Sequence, residues 1–111
     1  MKLKELVKDL NLNVVVGNDL LDRSVTGGYA GDMLSDVLTN ANKGNVWITM
    51  QIHPNVMAVA SSKDLSAIIL VNGRKPEPEM LKKAQQKKVP ILVSPWSAYK
   101  VVGRLYELGI K

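Results

Sequence analysis

The chain has 111 residues, a length that suits one domain with a real core and leaves little room for two. Apolar residues make up 46% and charged residues 23%, which excludes a disordered chain, and the absence of cysteine excludes both a disulfide framework and a thiolate nucleophile. The net charge of +5 is uneven: residues 1–62 carry five Lys/Arg against six Asp/Glu, a balance of −1, and residues 63–111 carry ten against four, a balance of +6.

Taken in order, Leu3, Leu6, Val7 and Leu10 keep helical spacing and predict a helix over 2–10. Its charges exclude a signal peptide, and the longest apolar run, around Ala67 to Val71, is far short of the roughly 18 residues of a membrane span. A cytoplasmic domain is the expectation. Val14–Val16 reads as a short β-branched strand ending at Gly17, and Ser24–Gly28 as a second short extended piece. Leu34, Val37, Leu38 and Ala41 predict a helix over about 31–42, followed by a strand over Val46–Met50. Pro54 suits the first turn of a helix that continues to Ser61. Leu65–Val71 reads as a buried strand, Glu77–Lys88 as a helix and Val89–Val93 as the last strand. Ser94 and Pro95 read as a cap and a first-turn proline before a final helix that Gly109 ends. Strands alternating with helices, several apolar on both faces, predict a three-layer α/β/α domain spanning residues 1–111. Its sheet is expected to be mostly parallel, of about four to five strands, with helices on both faces.

In such a sheet ligands bind beyond the carboxyl ends of the strands. Four loops are expected there: Thr26–Asp32, Gln51–Asn55, Asn72–Pro76 and Ser94–Ser97. The first is the most suggestive. Gly27 and Gly28 allow positive φ or a close ligand approach, and the amides of a following helix would hold an anion. The spacing Gly27, Gly28, Gly31 is neither the dinucleotide fingerprint nor a phosphate loop, so a tight strand-to-helix turn stands beside the phosphate cradle. Without cysteine or a second histidine, His53 does not make a metal site. A triad would have only His53 as its base and Ser61, Ser62 or Ser94 as nucleophile, with no nucleophile elbow around any of them. His53 reads instead as a helix cap or a ligand contact. Asp32 and Asp36 lie one helical turn apart, which suits a helix N-terminus as well as it suits acid–base work. Trp47 reads as core, whereas Trp96 beside Tyr99 fits either an exposed stacking platform or the sheet edge. The lysines at 82, 83, 87 and 88 oppose the negative end of a helix dipole, a sufficient structural reason that weighs against nucleic acid.

Asp22-Arg23-Ser24-Val25-Thr26-Gly27-Gly28 resembles the signature of the DRTGG domain family. Gly31-Asp32 with Leu34-Ser35-Asp36, Trp47-Ile48-Thr49, His53-Pro54-Asn55 and Gly103-Arg104-Leu105-Tyr106-Glu107 extend the likeness over nearly the whole chain. One departure is visible, since Ser24-Val25 separates Asp22-Arg23 from Thr26-Gly27-Gly28. The resemblance implies a single DRTGG domain with a fold similar to the non-catalytic N-terminal domain of HPr kinase. It also implies a regulatory module, found in other proteins beside adenine-nucleotide-sensing CBS domains and contributing there to a dimer.

Residues and resemblance together set out three expectations. The first is a non-enzymatic, homodimeric ligand-sensing module that binds an adenine nucleotide or another anionic metabolite and acts through dimerisation or a separate regulated enzyme. Its site would hold the anion with Arg23, Thr26, Gly27 and Gly28 and border it with Asp32, Gln51, His53 and Asn55. The second is a pure protein-interaction module. The third, nucleic-acid binding, would use Arg74, Lys75, Lys82, Lys83, Lys87 and Lys88. No cofactor, metal or membrane contact is expected beyond the nucleotide itself.

Overall fold

The computed structural model describes all of residues 1–111. The elements follow in the order α1 (Leu3–Asp9), β1 (Asn13–Val16), a short 3-10 turn (Asn18–Leu20), β2 (Gly27–Ala30), α2 (Leu34–Asn40), β3 (Asn45–Thr49), α3 (Val56–Ser62), β4 (Ala67–Leu70), α4 (Pro78–Lys87), β5 (Ile91–Val93) and α5 (Ala98–Glu107). They form one five-stranded sheet in the order β1-β5-β4-β3-β2. β2 to β5 run parallel, and β1 joins β5 antiparallel at one edge.

Two hydrophobic clusters of nearly equal size, 15 and 14 buried residues, lie on opposite faces, so the sheet is a true middle layer. Alternation along the strands decides which side chain goes where. Trp47, Ile68 and Leu70 face α2, α3 and α4, whereas Val46, Ile48, Ala67 and Ile69 face α1 and α5. Because both faces are covered, β3 and β4 are buried at every position. The connections through α2, α3 and α4 step from one strand to its neighbour on one face, whereas α1 at the start of the chain and α5 after β5 cover the other.

Two sequence expectations need correction. The extended piece expected at Ser24–Gly28 is instead the strand Gly27–Ala30, so Thr26-Gly27-Gly28 opens β2 instead of closing it. Neither Gly27 nor Gly28 takes a positive φ. What Gly27 provides is room: a Cβ there would stand 2.6 Å from the backbone carbonyl of Lys111 and 3.2 Å from Asn45 Nδ2. Glycine within a strand marks such a close approach. The second correction concerns α5, which is capped by Ser97, not Ser94: the Ser97 hydroxyl accepts from the Lys100 amide. Ser94 is fully buried, and its hydroxyl accepts from the Trp96 amide.

Candidate functional site

The register of β2 divides the expected site between opposite ends of the sheet. Gly27 pairs with Asn45 at the start of β3, whereas Ala30 pairs with Ile48 near its end. Arg23, Thr26, Gly27 and Gly28 therefore lie at or next to the amino edge, and Asp32, Gln51, His53 and Asn55 at the carboxyl edge. The expectation that they share one rim fails, because a strand four residues long separates the two groups.

At the amino edge the polar atoms of the signature are engaged within the chain. The Arg23 guanidinium donates to the Lys88 carbonyl at 2.6 Å, meeting the negative end of α4. Thr26 Oγ1 donates to the Lys43 carbonyl at 2.7 Å and accepts from Asn45 Nδ2 at 3.2 Å. Gly44, at φ +82°, leaves the space that Thr26 fills, since a Cβ there would lie 2.7 Å from Thr26 Cγ2. An open cleft of about 500 Å³ lies here, lined by Arg23, Ser24, Thr26, Lys43, Asp64 and Ser66 among others. Lys43 and Asp64 pair at 3.4 Å beside it, both well exposed. The chain enters this edge from the carboxyl ends of α2 and α3, whose carbonyls disfavour an anion.

The carboxyl edge has a different chemistry. Asp32 precedes α2, but its carboxylate turns back to the end of β3. Oδ1 accepts from Thr49 Oγ1 at 2.7 Å and from the Met50 amide at 2.8 Å, while Oδ2 has no partner in the chain. Gln51 Nε2 donates to the Asp32 carbonyl at 2.8 Å and so closes the loop after β3 onto the loop after β2. One cleft of about 360 Å³ has Ala30, Ile48, Val71 and Met50 along its wall, with Asp32 and Asn72 at the rim. A second of about 230 Å³ adjoins it through Asp32 and Met50 and is lined by Gln51 and Arg74. Arg74 is exposed and forms no ion pair.

The loops after β4 and β5 diverge to opposite faces, the arrangement that opens a crevice in such sheets. Here two backbone bonds seal that point: Asn72 N–H donates to the Trp96 carbonyl at 2.8 Å and Gly73 N–H to the Ser94 carbonyl at 2.9 Å. The open space is displaced toward the ends of β2, β3 and β4, which is why Asp32 and not Ser94 borders it. The Asn72–Pro76 loop is among those expected on this rim, but Arg74 itself is counted only with the basic segment and not with the ligand contacts. The signal was its position in the loop after β4, overshadowed by its membership in the basic segment.

His53 and Asn55 do not join the cleft lining. His53 Nδ1 lies 2.8 Å from Glu77 Oε2, tying the loop before α3 to the residue that opens α4. Asn55 opens α3 without a side-chain cap bond. None of Ser61, Ser62 and Ser94 hydrogen-bonds His53, so no nucleophile–base pair is assembled. Asp36 is occupied structurally: Tyr29 Oη donates to Oδ2 at 2.7 Å and Asn40 to Oδ1 at 2.9 Å. The bond to Asp36 pushes the Tyr29 pKa up from its usual value, with desolvation adding to it. Trp47 is fully buried, and its indole donates to the Gly31 carbonyl at 2.8 Å. Trp96 is half-buried under the Lys100 ammonium, 5.4 Å from the ring centroid. The lysines of α4 are exposed and unpaired with acids. No helix is long and apolar enough to cross a membrane.

Among solved structures the chain is similar to the CBS and DRTGG domains of the regulatory region of Clostridium perfringens pyrophosphatase, complexed with its activator diadenosine tetraphosphate. The TM-score is 0.64 at 12% identity, over 92% of this chain and 46% of that one. At this identity the likeness shows a shared fold, and this chain spans less than half the length of its neighbour. No curated protein matches the chain. The DRTGG domain profile matches residues 5–108, nearly every element from α1 to α5, and the chain belongs to the DRTGG domain family.

Proposed function

We propose that this domain is a non-catalytic regulatory module that seats an adenine nucleotide at the carboxyl edge of its sheet and signals occupancy to a second copy or a separate enzyme. The observation that carries the reading is the meeting of Asp32 and Arg74 in adjoining clefts. A free carboxylate oxygen suits ribose hydroxyls or an exocyclic amine. An unpaired guanidinium suits a phosphate. The apolar wall of Ala30, Ile48 and Val71 suits a base. Of the residues first expected to bind, Asp32 and Gln51 take part in this reading, His53 and Asn55 border it, and Arg23, Thr26, Gly27 and Gly28 hold the opposite edge together. The regulatory pyrophosphatase region of similar fold, crystallised with an adenine dinucleotide activator, makes adenine nucleotides the first ligands to try.

The test is calorimetric titration of the purified domain with AMP, ADP, ATP and diadenosine polyphosphates. Saturable binding is expected, weakened by about 1.5–3 kcal/mol in Arg74→Ala, the range for a hydrogen bond to a charged group. Arg23→Ala is expected to leave affinity unchanged at temperatures where it is folded. Heat from none of these nucleotides would remove the ligand and leave a protein-interaction module. Affinity that falls with Arg23→Ala and not with Arg74→Ala would move the site to the amino edge.

A further inference from the structure

We propose that the groove between β1 and α4 is a docking surface for a separate protein, which seats there an amphipathic helix carrying acidic residues along its apolar face. β1 is bulged where the groove begins. Val14 pairs with Leu92 and Val16 with Ile91, so Val15 has no partner on β5. An extra residue of this kind re-aims the side chains around it. Val14 and Val16, two positions apart, consequently pack on opposite faces of the sheet, Val14 toward α1 and α5 and Val16 toward α2, α3 and α4. Val15 joins neither cluster and is 37% exposed.

Val15 opens onto a cleft of about 360 Å³ whose apolar lining is Val15, Val16, Leu20 and Ala84. Gln85 and Lys88 bring α4 to its rim. β1 is the outermost strand on this side of the sheet, and the bulge stops an added strand from continuing the ladder. A partner therefore enters with side chains, and a helix that lays apolar anchors in a groove is the form that fits.

Charge gives the partner its sign. From Met80 to Tyr106 the chain holds no acidic residue. On α4, Lys82 stands one turn before Gln85 on the same side, and Lys88 one turn after it. Both are exposed, and neither pairs with an acid. The Arg23 guanidinium, held at the Lys88 carbonyl, adds a third cation at this end of α4. Asp19 is the one acid in the lining. The helix dipole accounts for lysines in the last turn and at the cap, but not for Lys82, which precedes that turn. Carboxylates beside an apolar face satisfy the cations and cover Val15 and Leu20 together, whereas nucleic acid would leave the apolar lining bare. The surface depends on the regulatory reading only for the existence of a separate partner. None of its residues lines the clefts of Asp32 and Arg74, so it stands or falls apart from nucleotide binding.

The probe is a fluorescent synthetic helix with leucine on one face and glutamate along both flanks, followed by anisotropy and by the amide NMR shifts of the domain. Saturable binding is expected, with shifts concentrated at Val15, Leu20, Ala84 and Lys88. Lys82→Glu combined with Lys88→Gly is expected to raise the dissociation constant at least about tenfold, with nucleotide titrations unchanged. Val15→Thr, which removes apolar surface at nearly constant shape, is expected to weaken the probe several-fold. A helix with lysine in place of glutamate is expected not to bind. No saturable binding, shifts centred elsewhere, equal binding of both helices, or a charge variant that binds like wild type overturns the proposal. The same shifts produced more readily by duplex DNA, or by raising the concentration of the chain alone, assign the groove to those occupants and overturn it as well. If Val15→Thr unfolds, the charge variant decides.

Discussion

Arg23 Nη2 donates to the Lys88 carbonyl at 2.6 Å, joining residues 65 positions apart and tying the segment before β2 to the last turn of α4. Lys88 sits in the left-handed region at φ 57°, so its carbonyl belongs to a helix end that needs a donor. Arg23→Ala is expected to lower stability by about 1–2 kcal/mol in urea unfolding. Lys88→Gly keeps the backbone acceptor and relieves the left-handed residue, so it is expected not to lower stability. An Arg23→Ala variant as stable as wild type would show that the bond contributes nothing net.

The two signature glycines are expected to behave differently. Gly27→Ala would press a Cβ against the Lys111 carbonyl at 2.6 Å, and a loss of about 1–3 kcal/mol is expected from such overpacking. At Gly28 the nearest atoms would be 3.7 Å away, an ordinary contact, and the alanine variant is expected within about 0.5 kcal/mol of wild type. Equal effects at both positions in thermal melting would mean that a general backbone requirement, and not the approach of Lys111, selects glycine here.

Asp32 is expected to be a structural residue as well as a candidate ligand contact. Thr49 is only 2% exposed, so its hydroxyl depends on Asp32 and not on water for an acceptor. Asp32→Ala strands that hydroxyl and frees the Met50 amide, and a loss of about 1–3 kcal/mol is expected by chemical denaturation. Arg74→Ala, with no partner to lose, is expected to leave stability unchanged. A strongly destabilised Arg74→Ala would mean that the side chain supports the fold and is not held in reserve for a ligand.

Alkaline pH gives a fourth test. The Asp36 hydrogen bond raises the Tyr29 pKa above its ordinary 10.0, so the folded state keeps that proton more tightly than the unfolded chain does. The stability this contributes is fully present below the unfolded pKa and is lost as pH rises through the folded one. Denaturation curves collected across this range are expected to fall more steeply with pH for wild type than for Asp36→Asn. Parallel curves would mean that the bond does not shift the titration.

Much of the fold was legible because it rests on local regularity. The helical spacing of Leu3, Leu6 and Leu10 and of Val101 and Leu105, and the continuous apolar run through Ile68 and Leu70, depend only on near neighbours in the sequence. Alternation of such segments leads directly to helices on both faces of a largely parallel sheet. The fate of Trp47 followed in the same way, from its place between Val46 and Ile48 in a strand buried on both sides.

The sequence by itself thus determined the fold class, the order of the elements and the family likeness, all properties of local pattern. Only the tertiary structure decided which end of the sheet each polar residue occupies. Thr26-Gly27-Gly28 has the local signs of a turn. It lies at the start of a strand because β3 pairs with it, Lys111 passes over Gly27 and Gly44 accommodates Thr26, contacts between residues far apart in the chain. That shift of register carries Arg23 to one edge and leaves Asp32 at the other. The meeting of Asp32 with Arg74 is likewise non-local: the loops after β2 and β4 lie near each other only because β3 stands between them in the finished sheet.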